Sequence, residues 1–140
     1  GKKIAFTSDR SGRGAPQIYI MDALLGDKGG VERISYNSSY NDNPAWSPDG
    51  DKIAYTARVG RQFQIKIYNL ITKNSTVFTK SIGSKEQPTW SPDGRFLAYR
   101  HNKRSKIHTY IQRLGSNKVR QLTFGAGGGT NPSWSPYLNR

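Results

Sequence analysis

Residue types that could move protons, attack carbonyls or hold metals are few in this chain, and those that recur do so at a fixed interval. Asp49 and Asp93 form the clearest carboxylate pair, a type suited to general acid/base work. Each, however, sits in Ser-Pro-Asp-Gly. Pro presets φ at the second position of a tight turn and Gly supplies the left-handed residue, so both aspartates read as turn formers. Ser47 and Ser91 belong to the same phrase, and no Gly-x-Ser-x-Gly elbow is present to expose a serine nucleophile. His101 reads as part of a basic loop, and His108 as a solvent-facing strand residue equivalent to Tyr19 and Lys66. With 2 His and no Cys, disulfides, thiolate nucleophiles, Cys-based zinc sites and His-rich metal sites are excluded. The chain is expected not to be an enzyme and to need no cofactor.

Binding is the chemistry that remains. Lys and Arg number 22 against 9 Asp and Glu, a net charge of +13. Much of the excess clusters as Arg10, Arg13, Arg58, Arg61, Arg100, Lys103, Arg104 and Lys106, with Asp9 as the single acid among them. Such a collar would steer an anionic partner, or simply keep solvated loops soluble. A second set recurs just before each of three prolines: Tyr40-Asn41-Asp42-Asn43, Ser84-Lys85-Glu86-Gln87 and Gly129-Thr130-Asn131. Amides, hydroxyls and carboxylates at matching places suit hydrogen bonding to a peptide or a protein loop, and they are also ordinary turn formers before Pro. Asp42 and Glu86 are ligand types for a channel cation such as calcium, although an oxygen-only site takes ~6 to 8 ligands.

The elements that position these residues are repeats. Asn43-Pro44-Ala45-Trp46-Ser47-Pro48-Asp49-Gly50 returns as Gln87-Pro88-Thr89-Trp90-Ser91-Pro92-Asp93-Gly94 and, without Asp-Gly, as Asn131-Pro132-Ser133-Trp134-Ser135-Pro136. Apolar triplets accompany the phrases: Ile4-Ala5-Phe6, Ile53-Ala54-Tyr55 and Leu97-Ala98-Tyr99. Further apolar segments begin at Gln17, Gln64 and Lys106, and shorter ones cover 31–35, 75–79 and 119–123. A period of ~40 to 45 residues with four short strands is the signature of propeller blades. The expected fold is all-β, twelve strands in three four-stranded blades, with units 1–42, 43–86 and 87–130 and a closing strand over 131–136. Trp46, Trp90 and Trp134 are expected to be buried between blades. Three blades make half of a six-bladed ring, so a homodimer closing the ring is expected. In such blades the second-to-third and fourth-to-first connections share one rim, which places the basic collar outside and the three polar segments at the pore. At 34 % apolar residues no run approaches the ~20 a spanning helix needs, so a soluble domain without membrane insertion is expected. The chain starts Gly-Lys-Lys and reads as a mature protein or an excised piece.

The phrase x-Pro-x-Trp-Ser-Pro-Asp-Gly-x-x-(Ile/Leu)-Ala-(Tyr/Phe), with Ser8-Asp9-Arg10-Ser11-Gly12 and Gln17-Ile18-Tyr19-Ile20-Met21-Asp22, resembles the β-propeller repeat of the TolB family over essentially the whole chain. The closing Pro132-Ser133-Trp134-Ser135-Pro136-Tyr137-Leu138 resembles the segment on which that family ends. The resemblance implies a non-catalytic periplasmic component of the Tol-Pal system, which serves outer-membrane integrity and cell division. It also implies that a Pal-like lipoprotein, other Tol proteins or translocating peptides are received at the pore-side rim. The residues so marked are Tyr40, Asn41, Asp42, Asn43, Lys85, Glu86, Gln87, Thr130 and Asn131, with Arg58 and Arg61 outside. Propellers of prolyl-oligopeptidase-type and tricorn-type hydrolases share the repeat, so a substrate-filtering propeller is the alternative; the closing phrase favours the TolB reading. Nucleic acid is not expected, because the aromatics fall at strand core positions rather than among basic residues.

Overall fold

The computed structural model describes residues 1–137; Leu138 of the closing phrase lies outside them. The chain forms three antiparallel sheets. The first contains β1 (Lys3–Ser8), β2 (Gln17–Asp22) and β3 (Gly26–Arg33). The second contains β4 (Asn41–Trp46), β5 (Lys52–Val59), β6 (Gln62–Asn69) and β7 (Asn74–Val77). The third contains β8 (Ser84–Trp90), β9 (Phe96–Lys103), β10 (Lys106–Arg113) and β11 (Val119–Gln121). In each sheet spatial order follows chain order, as in a propeller blade. No helix occurs among the described residues, and the sheets form an open partial ring.

The turns follow from their residues. Gly50 and Gly94 take φ of 81° and 69°, and their N–H groups close the hairpins on the carbonyls of Ser47 and Ser91 at 3.0 and 2.9 Å. Each serine hydroxyl donates to the aspartate two residues on and accepts the N–H of Lys52 or Phe96. The serine hydroxyls are the main reason the carboxyls of Asp49 and Asp93 are held down at about 2. Both aspartates are thus turn residues.

The core lies between sheets, because strand alternation aims successive side chains at opposite neighbours. Ile53, Tyr55 and Ala57 join Ile18 and Ile20 of the first sheet and Ile34 just beyond β3. Ala54, one residue out of phase, meets Trp90, Leu97 and Tyr99 of the third. Ile18, Ile53, Tyr55, Ile65 and Leu97 are fully enclosed. Burying each of the aliphatic ones contributes about 1.5–3 kcal/mol.

Two expectations need correction. Among the described residues eleven strands form rather than twelve: residues 131–136 carry no strand, because no strand lies alongside them to complete a ladder. The segment is nevertheless docked, since Trp134 Nε1 donates to the Thr89 carbonyl at 3.1 Å, the same bond that Trp90 makes to Ala45 at 2.9 Å. Of the three tryptophans only Trp90 is buried; Trp46 and Trp134 are half-buried. Trp46 has no preceding inner strand to donate to, and its indole turns back to the Gly50 carbonyl at 3.0 Å.

Candidate functional site

Two of the polar segments lie largely in strands rather than in loops, residues 41–43 in β4 and 84–87 in β8, whereas residues 129–131 carry no strand. β4 pairs with β5 through Asn41↔Ala57 and Asp42↔Thr56, then resumes at Ala45↔Ala54, so Asn43 and Pro44 together oppose Tyr55. β8 repeats this, with Gln87 and Pro88 opposite Tyr99. Each is a β-bulge, and proline fits the unpaired position because it has no N–H to lose. The residue before each proline is left-handed: Asn43, Gln87 and Asn131 have φ of 51°, 58° and 50°. A residue preceding proline ordinarily prefers extended backbone, so the same unfavourable conformation is imposed three times.

These bulges bring three predicted residues into one ladder across the inner strands. Thr56 Oγ1 donates to Asn43 Oδ1 at 3.2 Å and accepts the Gln87 N–H at 3.1 Å; the Asn131 N–H then donates to Gln87 Oε1 at 2.9 Å. Asn43 and Asn131 are exposed, as is Thr130. Asp42 lies beside them, accepting from the Thr7 hydroxyl at 2.8 Å, the Asn43 N–H at 2.7 Å and the Tyr40 hydroxyl at 3.2 Å. Partial burial first, and the Asp42 carboxylate second, push the Tyr40 phenol up.

Other predicted contacts are turned inward. Asn41 is fully buried, its amide donating to Gln17 Oε1 at 2.8 Å. Lys85 is 1 % exposed, and its ammonium donates to the carbonyls of Ser81, Ile82 and Gly83. Burial, assisted by Lys103, brings that ammonium down to about 8. Neither side chain is available to a partner, because strand pairing places position 41 and its repeat 85 on the inner face. Glu86 is paired with Arg100 across the β8–β9 ladder, so it is not a free carboxylate. No cluster of three or more His, Cys, Asp or Glu suited to a metal occurs among the described residues.

The collar is also rearranged. Arg58 lies in β5, Arg100 and Lys103 in β9, and Lys106 in β10, because the hairpins close with two residues rather than with long loops. Gly60 and Arg61 make one turn; Arg104 and Ser105, both left-handed, make the other. Arg58 and Arg61 are exposed. Arg10 stacks over Phe6 and Tyr19 and pairs with Asp27. His101 is a buried strand residue, 9 % exposed, whose Nε2 lies 3.1 Å from the Ile82 carbonyl. Burial lowers its proton affinity, with Lys85, Lys103 and His108 adding to the effect. His108 aligns with Gln17 and Gln64, not with Tyr19 and Lys66.

That alignment exposes a motif the sequence reading passed over. Gln17 accepts from Ser35 at 2.8 Å and Gln64 from Thr79 at 2.7 Å, while the same hydroxyls take the N–H of Ile18 and Ile65. Thr123 stands in this role to His108 and the Thr109 N–H. The signal was the recurrence of Ile34-Ser35, Phe78-Thr79 and Leu122-Thr123 at the repeat interval.

The family profile described as the TolB beta propeller domain matches residues 1–138. The Tol-Pal system protein TolB of Desulfosudis oleivorans is 38 % identical over 78 residues, 56 % of this chain and 17 % of that protein. The uncharacterized peptidase YuxL of Bacillus subtilis is 42 % identical over 60 residues, 43 % of this chain and 8 % of that protein. Among solved structures, TolB from Acinetobacter baumannii superposes with a TM-score of 0.77 at 26 % identity, over 94 % of this chain and 32 % of that one. A putative TolB from Agrobacterium tumefaciens superposes at 0.85 and 24 % identity, over 97 % and 47 %, and adds evidence of fold. The chain therefore spans less than a fifth of those curated relatives and less than half of those solved chains. With nearly every residue covered by the profile, and the repeat it describes visible as three successive sheets, this chain belongs to the TolB beta propeller domain family.

Proposed function

We propose that this domain is a non-catalytic, periplasmic protein-binding module of the Tol-Pal type, serving outer-membrane integrity and cell division. It receives a Pal-like lipoprotein, or an extended peptide, where Tyr40, Asp42, Asn43, Gln87, Thr130 and Asn131 meet. The observation that supports this most is the left-handed backbone before proline at Asn43, Gln87 and Asn131, bulged within strands at the first two. Strain of this kind is characteristic of ligand clamps, and here it aligns polar groups along the inner strands. Exposed Arg58 and Arg61 add electrostatic steering at the rim.

Calorimetric titration of the protein carrying this domain with a Pal-like lipoprotein tests the reading. Asp42→Ala combined with Gln87→Ala is expected to weaken binding by about 1–3 kcal/mol. Arg58→Gln with Arg61→Gln should chiefly slow association and flatten its salt dependence. Binding indifferent to the inner-strand pair would remove this surface from consideration. The likeness to a peptidase favours a second reading, a substrate-filtering propeller of a hydrolase; peptide hydrolysis by the carrying protein, without lipoprotein binding, would select it. We extend the proposal to assembly: the unpaired edge of β1 and the docked 131–136 segment are complementary, so two copies would close a ring.

A further inference from the structure

The charges of this molecule are segregated. Asp27 meets Arg10, Glu32 meets Lys73, Asp49 and Asp51 share Lys52, Asp93 meets Arg95, and Glu86 meets Arg100. Asp42 is held by hydroxyls and a backbone N–H, and Asp22 caps the N–H groups of Leu24 and Leu25. The tip of the β9–β10 hairpin has the opposite character. Lys103 stands directly opposite Lys106, with Arg104 and Ser105 forming the turn between them. All four are exposed, and none of the three cations has an acidic partner among the described residues. Like charges directly opposite in a ladder repel, and a bound anion would relieve that repulsion. Below the tip lie Lys85 and His101, paired across β8 and β9, with His108 and the ring of Tyr110 facing His101 from β10.

Beside the tip is a cleft of about 600 Å³ lined by Ser105, Lys106, Ile107, His108 and Gly125, Ala126, Gly127 and Gly128. The glycines leave backbone N–H and C=O groups uncovered by side chains, which suits an extended main chain. Phe124, 74 % exposed, adjoins this run and offers an apolar rest. A single aromatic is not the succession of platforms that a nucleic acid strand stacks on.

We infer that this cleft and hairpin tip bind an extended acidic peptide segment, its carboxylates on Lys103, Arg104 and Lys106 and its main chain along the Gly125–Gly128 backbone. None of the residues invoked here belongs to the inner-strand surface, so the two readings fail independently.

Fluorescence anisotropy with a short labelled peptide alternating glutamate with leucine and glycine tests the inference. The triple variant Lys103→Gln, Arg104→Gln, Lys106→Gln should bind about tenfold more weakly, and binding should weaken with salt. The matched glutamine peptide should bind no better than the triple variant binds the acidic one. Phe124→Ser, which leaves the charges in place, should also weaken binding. The inference is overturned if the triple variant, confirmed folded by its thermal transition, retains full affinity. It is equally overturned if the glutamine peptide binds as well, or if an oligonucleotide of equal charge binds better than the acidic peptide.

Discussion

The three tryptophans of the repeated phrase are alike in sequence and unequal in structure, so their replacement by alanine separates packing from motif. Trp90 is 7 % exposed, lies in the cluster with Ala54, Ile65, Leu97 and Tyr99, and donates its indole N–H to Ala45 across the seam between sheets. Trp90→Ala removes a large buried ring, for which the loss is about 3–5 kcal/mol. Withdrawing the donor from the Ala45 carbonyl adds about 1 kcal/mol and places the effect at the upper end of that range. Trp46 and Trp134 are half-buried, and the indole of Trp46 is bonded within its own hairpin. Losing about half of the burial predicts roughly 1–2 kcal/mol for each. Urea unfolding followed by far-ultraviolet circular dichroism measures all three variants without depending on the fluorescence being removed. Equal losses to within about 0.5 kcal/mol, or a larger loss at Trp46 than at Trp90, would refute the assignment of the inter-sheet seam.

Two further outcomes are expected. The Ser91 hydroxyl first, and then the Arg95 N–H and guanidinium, hold the Asp93 carboxyl at about 2 against an ordinary 3.8. Its folded value is the lower one, so its stabilisation is complete above about 3.8 and is lost as pH falls through about 2. Asp93→Asn should flatten that part of the acid-unfolding curve, and an unchanged acid limb would show the turn bond to be unimportant. For assembly, light scattering should give twice the chain mass, reduced to the single mass when residues 131–140 are deleted; a monomer before deletion would sink the ring-closing proposal.

Local rules made much of the fold legible. Ser-Pro-Asp-Gly fixes a turn through the dihedral limits of Pro and Gly, and Ile53-Ala54-Tyr55 fixes which side chains face which neighbour. The misreadings arose where the answer depends on backbone geometry or strand pairing that residue types do not announce. Position 85 of the repeat holds Lys where position 41 holds Asn, and composition would put the lysine in water. It is buried because the carbonyls of Ser81, Ile82 and Gly83, close before it in the chain, curl onto its ammonium, a backbone conformation that their residue types do not announce. Glu86 is expected from its sequence to meet a partner or a cation, but it is occupied by Arg100, which lies across the β8–β9 ladder and out of view of its own phrase. The strand expected over 131–136 failed for a related reason: a strand is a property of a pair, and the phrase shows only one member.

The bulges also separate what each repeat shares from what makes it different. Asn43, Gln87 and Asn131 hold the same backbone conformation, with φ differing by only a few degrees. The residues just before them are Asp42, Glu86 and Thr130, which carry a hydroxyl-bonded carboxylate, an ion-paired carboxylate and an exposed hydroxyl. A partner bridging the inner strands would therefore meet one backbone geometry three times and a different hydrogen-bonding surface each time. Register along the ring can then be recognised even though the scaffold is periodic, because only one placement matches all three side chains. Exchanging Asp42 and Thr130 would keep composition and backbone while reversing that order, and on this reasoning it should weaken partner binding by about as much as removing the Asp42 contact, about 1–3 kcal/mol. Undiminished affinity in the exchanged variant would mean that the partner reads the bulged backbone alone.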